Sequence, residues 1–352
     1  MSPENVDVHG ESLIDLGGPV DLPRTLGILQ RGSGDPAFRI DSGRHQGGPG
    51  GTPGAGAWAC FRLYGICASS AAEARGAAQE LGPVLLRLDQ KDATHVRARV
   101  WCSTEDLLGV ALSRIPALLG SEDDWDECDL LLETMTDDHS AALARVRRRH
   151  PGVRLPAHGQ LLDQLVTVTL EQKVTHDQAR HGWRELLRRF GDRPPGPAPE
   201  WMRLPLTAAQ LSAVPSWVWH QMWVQPPMAA TITRLAARAS ALHRLAYTPR
   251  DDESLDELGR RLTSIDGVGP WTVAETLQRT HGAADLPSVG DYHLPAVVGD
   301  ALAGRRTDDV GMLELLEPWR GHRQRVVRLI RLSGHRHQRF GPRLAPADHR
   351  RR

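Results

Sequence analysis

The most constraining feature of this sequence is the segment SLDELGRRLTSIDGVGPWTVAETLQRTHG at 254–282. Ser254 and Glu257 have the spacing of a capping box, and apolar residues then recur at helical spacing as far as Ile265. The pattern breaks at DGVG (266–269) and resumes with a proline, which is favoured in the first turn of a helix. The sequence therefore predicts two short helices joined by a glycine hairpin.

The glycines of this hairpin suit the binding of an anion. Without a Cβ at Gly267 or Gly269, another molecule can approach the backbone N–H groups of Gly267, Val268 and Gly269 closely. These groups precede a helix N-terminus, where a phosphate is stabilised. A DNA phosphate is one such anion, and contacts to phosphate carry no information about base sequence. A packing corner between two helices would tolerate the same glycines, so the hairpin alone leaves both interpretations open.

Charge is distributed unevenly, although the formal net charge of the 352 residues is zero. Residues 1–150 hold 15 Lys and Arg against 22 Asp and Glu, whereas residues 151–352 hold 28 against 21. Eleven arginines and one acid lie between positions 320 and 352. A basic half is typical of a protein with an anionic partner such as nucleic acid. A solvated arginine-rich tail would give the same balance.

Composition disfavours several classes of protein and site. No apolar run approaches the roughly 18 residues of a membrane span, and the first ten residues lack a signal-peptide pattern, so we expect a cytoplasmic protein. Four cysteines without CxxC spacing predict reduced thiols rather than a zinc ribbon. The sixteen histidines form neither an HExxH motif nor an i, i+4 pair, so no dedicated metal site is expected.

The spacing of apolar residues predicts an α+β fold that is mainly α. A small antiparallel-sheet subdomain comes first, and an all-helical domain follows it. The predicted regions are a flexible tail at 1–23, an α+β subdomain at 24–130 with a Gly-rich loop at 42–56, a helical domain at 139–334 and a basic tail at 335–352. Strands are predicted at 37–40, 59–68, 83–90 and 95–102, and helical patterns include 104–120 and an unbroken one at 160–190.

Downstream of the hairpin, the loop LPSVGDYHL at 286–294 brings Asp291 to the start of another predicted helix. A glycine hairpin followed at this spacing by a Gly/Pro-rich loop and an aspartate resembles the helix-hairpin-helix GPD superfamily of DNA glycosylases. The branch that includes bacterial 3-methyladenine DNA glycosylase II is the more similar one. The segments 142–166 and 312–330 resemble that family's entry into the helical domain and its closing helices. The resemblance covers the helical domain well and the sheet subdomain loosely.

The resemblance implies a monomeric, nucleoid-associated enzyme of base excision repair. It would flip a damaged base out of double-stranded DNA and hydrolyse its N-glycosidic bond. Asp291 would be the catalytic carboxylate beside the sugar, and Trp271 would line the base pocket. Lys173 takes the position of the residue that fills the gap left by the flipped base. From the residues alone, Asp291 as a helix N-cap and Lys173 as a surface lysine remain alternatives.

Purines alkylated at N3 or N7 carry positive charge, so aromatic side chains suit their pocket. Trp217, Trp219 and Tyr292 are further pocket candidates, with tryptophans in a core as the plain alternative. One helical turn after Trp271, the glycosylase II branch has an aromatic residue, whereas this chain has Glu275. A carboxylate there would face the pocket and favour a cationic lesion, or it would face solvent or pair with an arginine.

The chemistry implied by the resemblance is hydrolysis without a cofactor. Superfamily members that form a Schiff base carry a lysine two residues after the second hairpin glycine, where this chain has Trp271. A monofunctional enzyme without lyase activity is therefore expected. No cysteine follows Cys128, which excludes the iron–sulfur cluster of some relatives. The family allows a structural monovalent cation at the hairpin. Two alternatives stay open, a non-catalytic DNA-binding module and a glycosylase for uracil, oxidised guanine or a bulky adduct.

Overall fold

The computed structural model describes residues 8–41, 54–66 and 78–335. Its sheet has five antiparallel strands in the order β1-β5-β4-β3-β2. The strands are β1 (Val8–Asp15), β2 (Phe38–Asp41), β3 (Gly56–Ile66), β4 (Ala78–Gln90) and β5 (His95–Cys102).

The first helix lies between β1 and β2, and the other helices follow the sheet. The helices are α1 (Leu22–Leu26), α2 (Glu105–Leu118), α3 (Asp126–Thr134), α4 (Asp138–Arg149), α5 (Leu161–Leu170), α6 (His176–Phe190), α7 (Ala208–Ala213), α8 (Ser216–Gln221), α9 (Pro226–Ala237), α10 (Ala239–Leu245), α11 (Asp252–Thr263), α12 (Pro270–Thr280), α13 (Leu294–Ala303), α14 (Asp309–Leu316) and α15 (Arg323–Leu332), with a short 3-10 helix at Glu317–Trp319. The predicted α+β, mainly α fold is confirmed.

The sheet is covered on both faces. Strand β5 alternates as its sequence predicts, with Val96, Ala98, Val100 and Cys102 buried. These residues pack with α1 and α2 on one face. Cys60 and Leu85 point the other way and join the core of the helical domain. Because one continuous apolar core crosses from β3 and β4 to α5, the sheet subdomain is fixed against the helices.

The helical domain has two apolar cores. The larger one is built around α5, all ten residues of which are buried except Asp163. It also takes in buried residues of α6, α9, α11 and α12. The second core joins α3 and α4 to α13, α14 and α15. The chain thus returns at its C-terminal end to helices that begin before residue 139, so the helical domain starts at α3 rather than α4.

The expected flexible tail at 1–23 is wrong for its described part. Strand β1 pairs along its whole length with β5, from Val8 opposite Cys102 to Asp15 opposite His95. Its sequence, VHGESLID, has few apolar residues, and β1 lies at the edge of the sheet. Backbone pairing therefore forms this strand with little help from a hydrophobic pattern.

The unbroken helix expected at 160–190 is two helices. Helix α5 ends at Leu170, and Lys173 has a φ of 54°, a left-handed conformation that cannot continue a helix. Thr175 then starts α6 with a capping box to Gln178. Local capping of the second helix therefore stabilises a break that the apolar spacing does not reveal.

The first helix of the hairpin also starts earlier than expected. Its N-cap is Asp251, which accepts the N–H of Ser254 at 2.9 Å. Ser254 is thus inside the helix, and the predicted capping box with Glu257 is wrong. Aspartate is as good an N-cap as serine, and its position one turn upstream lets the helix include three more residues.

Some expectations concern residues outside the described ranges. These are most of the Gly-rich loop, at 42–53, the basic tail after His335, and Cys67. Cys60, Cys102 and Cys128 are buried thiols, as expected of reduced cysteines. Within the described ranges, no helix has the length and apolar character needed to cross a bilayer.

A buried ion pair joins the start of the helical domain to its last helix. Asp123 Oδ1 lies 2.6 Å from Arg325 Nη2, and both side chains are buried. The other oxygen of Asp123 accepts the backbone N–H of Leu155 and the indole N–H of Trp125, each at 2.6 Å. One carboxylate therefore holds three separate segments together.

We predict that Asp123→Ala lowers the free energy of unfolding by about 3–5 kcal/mol, because it leaves the Arg325 guanidinium buried without its partner. Urea unfolding followed by circular dichroism measures the change. Glu257→Ala is the matched control, since Glu257 pairs with Arg260 on an exposed helix surface and its loss costs less than about 1 kcal/mol. Equal effects of the two substitutions would contradict this account.

Candidate active site

The glycine hairpin joins α11 to α12 through residues 264–269. Gly267 has a φ of 91°, which side-chain-bearing residues rarely adopt. A Cβ at this position would lie 2.0 Å from Oγ1 of Thr231 in α9. Both observations show that Gly267 is needed for the fold of the hairpin.

Gly269 has a different environment. Its φ is −99°, and outside its chain neighbours no atom lies within 4 Å of a Cβ built there. It is the N-cap residue of α12, which has no side-chain cap. Val268 is buried and donates its N–H to the carbonyl of Ile265 at 2.9 Å. The open backbone near Gly269 therefore suits an anion better than Val268 does, and phosphate binding stays a prediction.

Two side chains that sequence reasoning missed hold the hairpin in place. Gln172 Nε2 donates to the carbonyl of Gly267 and to Oγ1 of Thr272, both at 2.9 Å. Arg234 Nε donates to the carbonyl of Asp266 at 3.1 Å and brings a guanidinium to the hairpin. Gln172 is 95 residues from Gly267, and Arg234 is 32 residues from Asp266. No local pattern could have revealed these contacts.

Lys173 follows Gln172 in the loop between α5 and α6. Its side chain is exposed, whereas that of Val174 packs against the core. The hydrogen bonds of Gln172 therefore fix the loop that carries Lys173 to the hairpin. The role of Lys173 in filling a gap in DNA stays a prediction.

Asp291 is half-buried and lies just before α13, and its two carboxylate oxygens have different partners. Oδ1 accepts the N–H groups of His293 at 2.8 Å and of Leu294 at 2.7 Å. Oδ2 accepts the indole N–H of Trp271 at 3.3 Å. The N-cap residue of α13 is His293 and not Asp291. The Asp291 carboxylate nevertheless binds the backbone N–H groups at the start of this helix and faces the tryptophan.

The loop before Asp291 is bound to α12 by buried hydrogen bonds. Oγ of Ser288 donates to Oε1 of Glu275 at 2.5 Å and accepts from Nε2 of Gln278 at 3.0 Å. Trp271, Glu275 and Gln278 are spaced to lie on one face of α12. This single helix face therefore positions the loop and the carboxylate that follows it.

The expectation that Glu275 lines an open pocket is corrected by its surroundings. Glu275 is only 6% exposed, and its second oxygen lies 2.7 Å from Nη1 of Arg279. Burial raises the pKa of Glu275, but the charges of Arg279 and Arg331 and the Ser288 hydrogen bond outweigh it and lower the pKa to about 2. The carboxylate is thus ionised, and its two oxygens contact Ser288 and Arg279. Of the environments expected for Glu275, pairing with an arginine is the one found.

The other three predicted aromatic residues of the pocket differ in burial. Trp219 is 4% exposed and belongs to the apolar core, so the plain alternative holds for it. Trp217 is 67% exposed and Tyr292 is 91% exposed, with the Tyr292 ring edge-on to His293. Trp271 is the aromatic residue that the structure brings against Asp291.

Metal binding has no evident site in the described ranges, where no group of three or more His, Cys, Asp or Glu side chains is arranged for it. At the hairpin, the carbonyls of Ile265 and Gly267 accept hydrogen bonds from Val268 and Gln172. Each of these carbonyl oxygens has a second lone pair. The cation stays a prediction.

Comparison with known proteins gives matches at the level of structure. No family model and no curated protein matches the sequence. The 3-methyladenine DNA glycosylase from Archaeoglobus fulgidus has a TM-score of 0.67 at 13% identity, covering 92% of this chain and 98% of that one. The 8-oxoguanine glycosylase/lyase from Clostridium acetobutylicum has 0.58 at 11%, covering 93% and 98%. The same enzyme bound to double-stranded DNA has 0.53 at 12%, covering 92% and 96%.

At such low identities, the likeness defines the fold. The chain has the fold of the helix-hairpin-helix DNA glycosylases, as the resemblance of its hairpin and aspartate predicts. The matched structures are covered almost completely, so the likeness includes the sheet subdomain, which the sequence resembles only loosely.

The two hairpin glycines should respond differently to alanine. We predict that Gly267→Ala lowers the free energy of unfolding by about 1–3 kcal/mol, because of its φ and its contact with Thr231. Gly269→Ala should change that free energy by less than about 1 kcal/mol but weaken duplex DNA binding about tenfold by obstructing the backbone. Urea unfolding and fluorescence anisotropy measure the two effects. Unchanged DNA binding by a folded Gly269→Ala variant would remove the hairpin from the DNA interface.

Proposed function

We propose that this protein is a DNA glycosylase of base excision repair, which hydrolyses the N-glycosidic bond of a damaged base in double-stranded DNA. The observation that carries the proposal is the pairing of Asp291 Oδ2 with the indole of Trp271 at 3.3 Å. Trp271 is two residues from Gly269, so a phosphate at the hairpin and a sugar at Asp291 would belong to one stretch of DNA. The fold shared with structures named as DNA glycosylases supports the same function.

Asp291 would act on the charge that develops as the bond breaks. Cleavage of an N-glycosidic bond gives the sugar oxocarbenium character, as in glycoside hydrolysis. A carboxylate beside the sugar stabilises that charge and orients or deprotonates the attacking water. Because two backbone N–H groups fix Oδ1, the carboxylate is oriented before substrate binds.

An alkylated purine is the substrate that we propose. Such a base is cationic, and the face of Trp271 would attract it by roughly 1–2 kcal/mol. One matched structure is named as a 3-methyladenine DNA glycosylase. Glu275 adds no free carboxylate, so discrimination would depend on stacking and on shape.

Lys173 would fill the space left by the flipped base. Its exposed side chain sits on a loop that Gln172 ties to the hairpin, so the lysine and the phosphate site would contact DNA together. The alkyl stem can enter the stack while the ammonium group meets a phosphate.

We predict that Asp291→Asn lowers the rate of base release by about 10²–10⁴-fold and leaves duplex affinity within about twofold, because asparagine retains the oxygen that accepts the N–H groups of His293 and Leu294. Released bases are quantified by mass spectrometry and binding by anisotropy. Asp309→Asn is the matched control. Asp309 accepts the N–H of Gly290, the residue before Asp291, at 3.0 Å. Asparagine also provides an oxygen for this bond, so the variant should keep full activity. A non-catalytic DNA-binding protein would release no base in any form.

The absence of a lysine at position 271 predicts a monofunctional enzyme. Arginine does not form a Schiff base with the sugar, and the chain has only two lysines, Lys91 and Lys173. We therefore expect borohydride to trap no covalent protein–DNA complex and the product strand to break only after alkali. Lys173→Ala is the control for any trapped species. A borohydride adduct that survives in wild type and disappears in this variant would overturn the monofunctional assignment.

A further inference from the structure

A cavity of about 100 Å³ lies between the sheet and the helical domain. Its walls come mainly from residues 29–38, β3, α2, α5 and α6, and most of the lining is apolar, including Leu63, Ile115 and Trp183. Asp291 and Trp271 do not line it. The cavity is thus separate from the candidate active site.

Gln164 is one of the residues that line this cavity, and hydrogen bonds fix the orientation of its side chain. His158 Nδ1 accepts the N–H of Gln160 at 3.1 Å, so the proton of the neutral imidazole is on Nε2. Nε2 lies 3.2 Å from Oε1 of Gln164 and donates to it. Burial lowers the pKa of His158 to about 3, which keeps the ring neutral.

The amide nitrogen of Gln164 is consequently left over. Gln164 is 5% exposed, and its Nε2 has no acceptor in the described part of the chain. A buried donor without a partner is rare in folded proteins. Its position on the wall of a cavity indicates that the missing acceptor comes from a molecule inside.

Asp163, the preceding residue, also lines the cavity. Among the described residues, no hydrogen bond or ion pair engages its carboxyl group. Although Asp163 is only partly buried, loss of solvent around its carboxyl group outweighs the charge of Arg62 and raises the pKa of Asp163 to about 7. A hydrogen-bond donor and a hydrogen-bond acceptor without protein partners therefore border the same apolar space.

We propose that this cavity binds a small neutral heterocycle with a lactam edge, that is, one ring with adjacent C=O and N–H groups. The carbonyl would accept from Gln164 Nε2, the N–H would donate to Asp163, and the apolar walls would cover the ring. The volume is below that of a cavity of about 150 Å³ that holds benzene. A fused pair of rings is therefore excluded, and a single ring enters only if the walls move outward. Free pyrimidine bases and simple lactams share this chemistry, and the inference does not depend on glycosylase activity.

Binding of 2-pyridone and of uracil to the full chain, measured by calorimetry and saturation-transfer NMR, tests the proposal. We expect at least one of them to bind, and N-methylation of 2-pyridone, which removes its N–H, to weaken binding about tenfold. Gln164→Leu should cause a similar loss, with circular dichroism to verify its fold. Tighter binding of uracil identifies pyrimidine bases as the source of the ligand, and tighter binding of 2-pyridone identifies simple lactams.

Asp291→Asn is the control variant, because Asp291 is outside the cavity and this substitution should leave 2-pyridone binding unchanged. The proposed activity and the proposed site can therefore fail independently. Equal binding of benzene, N-methyl-2-pyridone and 2-pyridone would reduce the site to an apolar void. Crystals soaked in 2-pyridone and uracil that hold only ordered water at Gln164 would also overturn the proposal.

Discussion

The hydrogen bond between Ser288 and the buried carboxylate of Glu275 is the contact on which the candidate active site depends most. It ties the loop that carries Asp291 to α12, the helix that also carries Trp271. Arg279 pairs with the same carboxylate, so the charge is retained inside the protein. Removal of Arg279 would leave the charge of Glu275 buried without its partner, and removal of Ser288 would free the loop from Glu275. This polar cluster, together with the hydrogen bonds of Gln278 and Asp309 to the same loop, holds Asp291 against Trp271.

The two glycines of the hairpin look equivalent in the sequence but have different roles in the structure. Gly267 serves the fold, since its φ and its contact with Thr231 admit no side chain. Gly269 faces open space at the start of α12 and leaves the backbone accessible. Gln172 joins this hairpin to the loop of Lys173. The hairpin and the loop of Lys173 are therefore already in place before a ligand binds.

Sequence patterns predicted the elements whose burial is periodic. Strand β5 was predicted with its bounds because burial alternates along it, and the helices of the hairpin follow from apolar spacing and a proline. Strand β1 was not predicted, because an edge strand can form through backbone pairing alone. The break between α5 and α6 was not predicted, because the left-handed φ of Lys173 does not alter the spacing of apolar residues.

Within the candidate active site, the sequence predicted which residues come together better than it predicted the partners of each side chain. The spacing of hairpin and loop led to Asp291 and Trp271, which the structure brings together. The environment of Glu275 depends on Ser288, 13 residues away, as well as on Arg279 in its own helix. The contact of Gln172 with Gly267 spans 95 residues. Side-chain partners at such separations depend on tertiary packing, which one sequence does not encode in any local pattern.

The most direct measurement is the analysis of free bases released from duplex DNA that contains methylated purines, uracil or 8-oxoguanine at a defined position. If the carboxylate beside Trp271 hydrolyses N-glycosidic bonds, mass spectrometry should detect free methylated purines, and the DNA strand should retain an unbroken abasic site. Duplexes that are bound by the protein but keep every modified base would contradict the account.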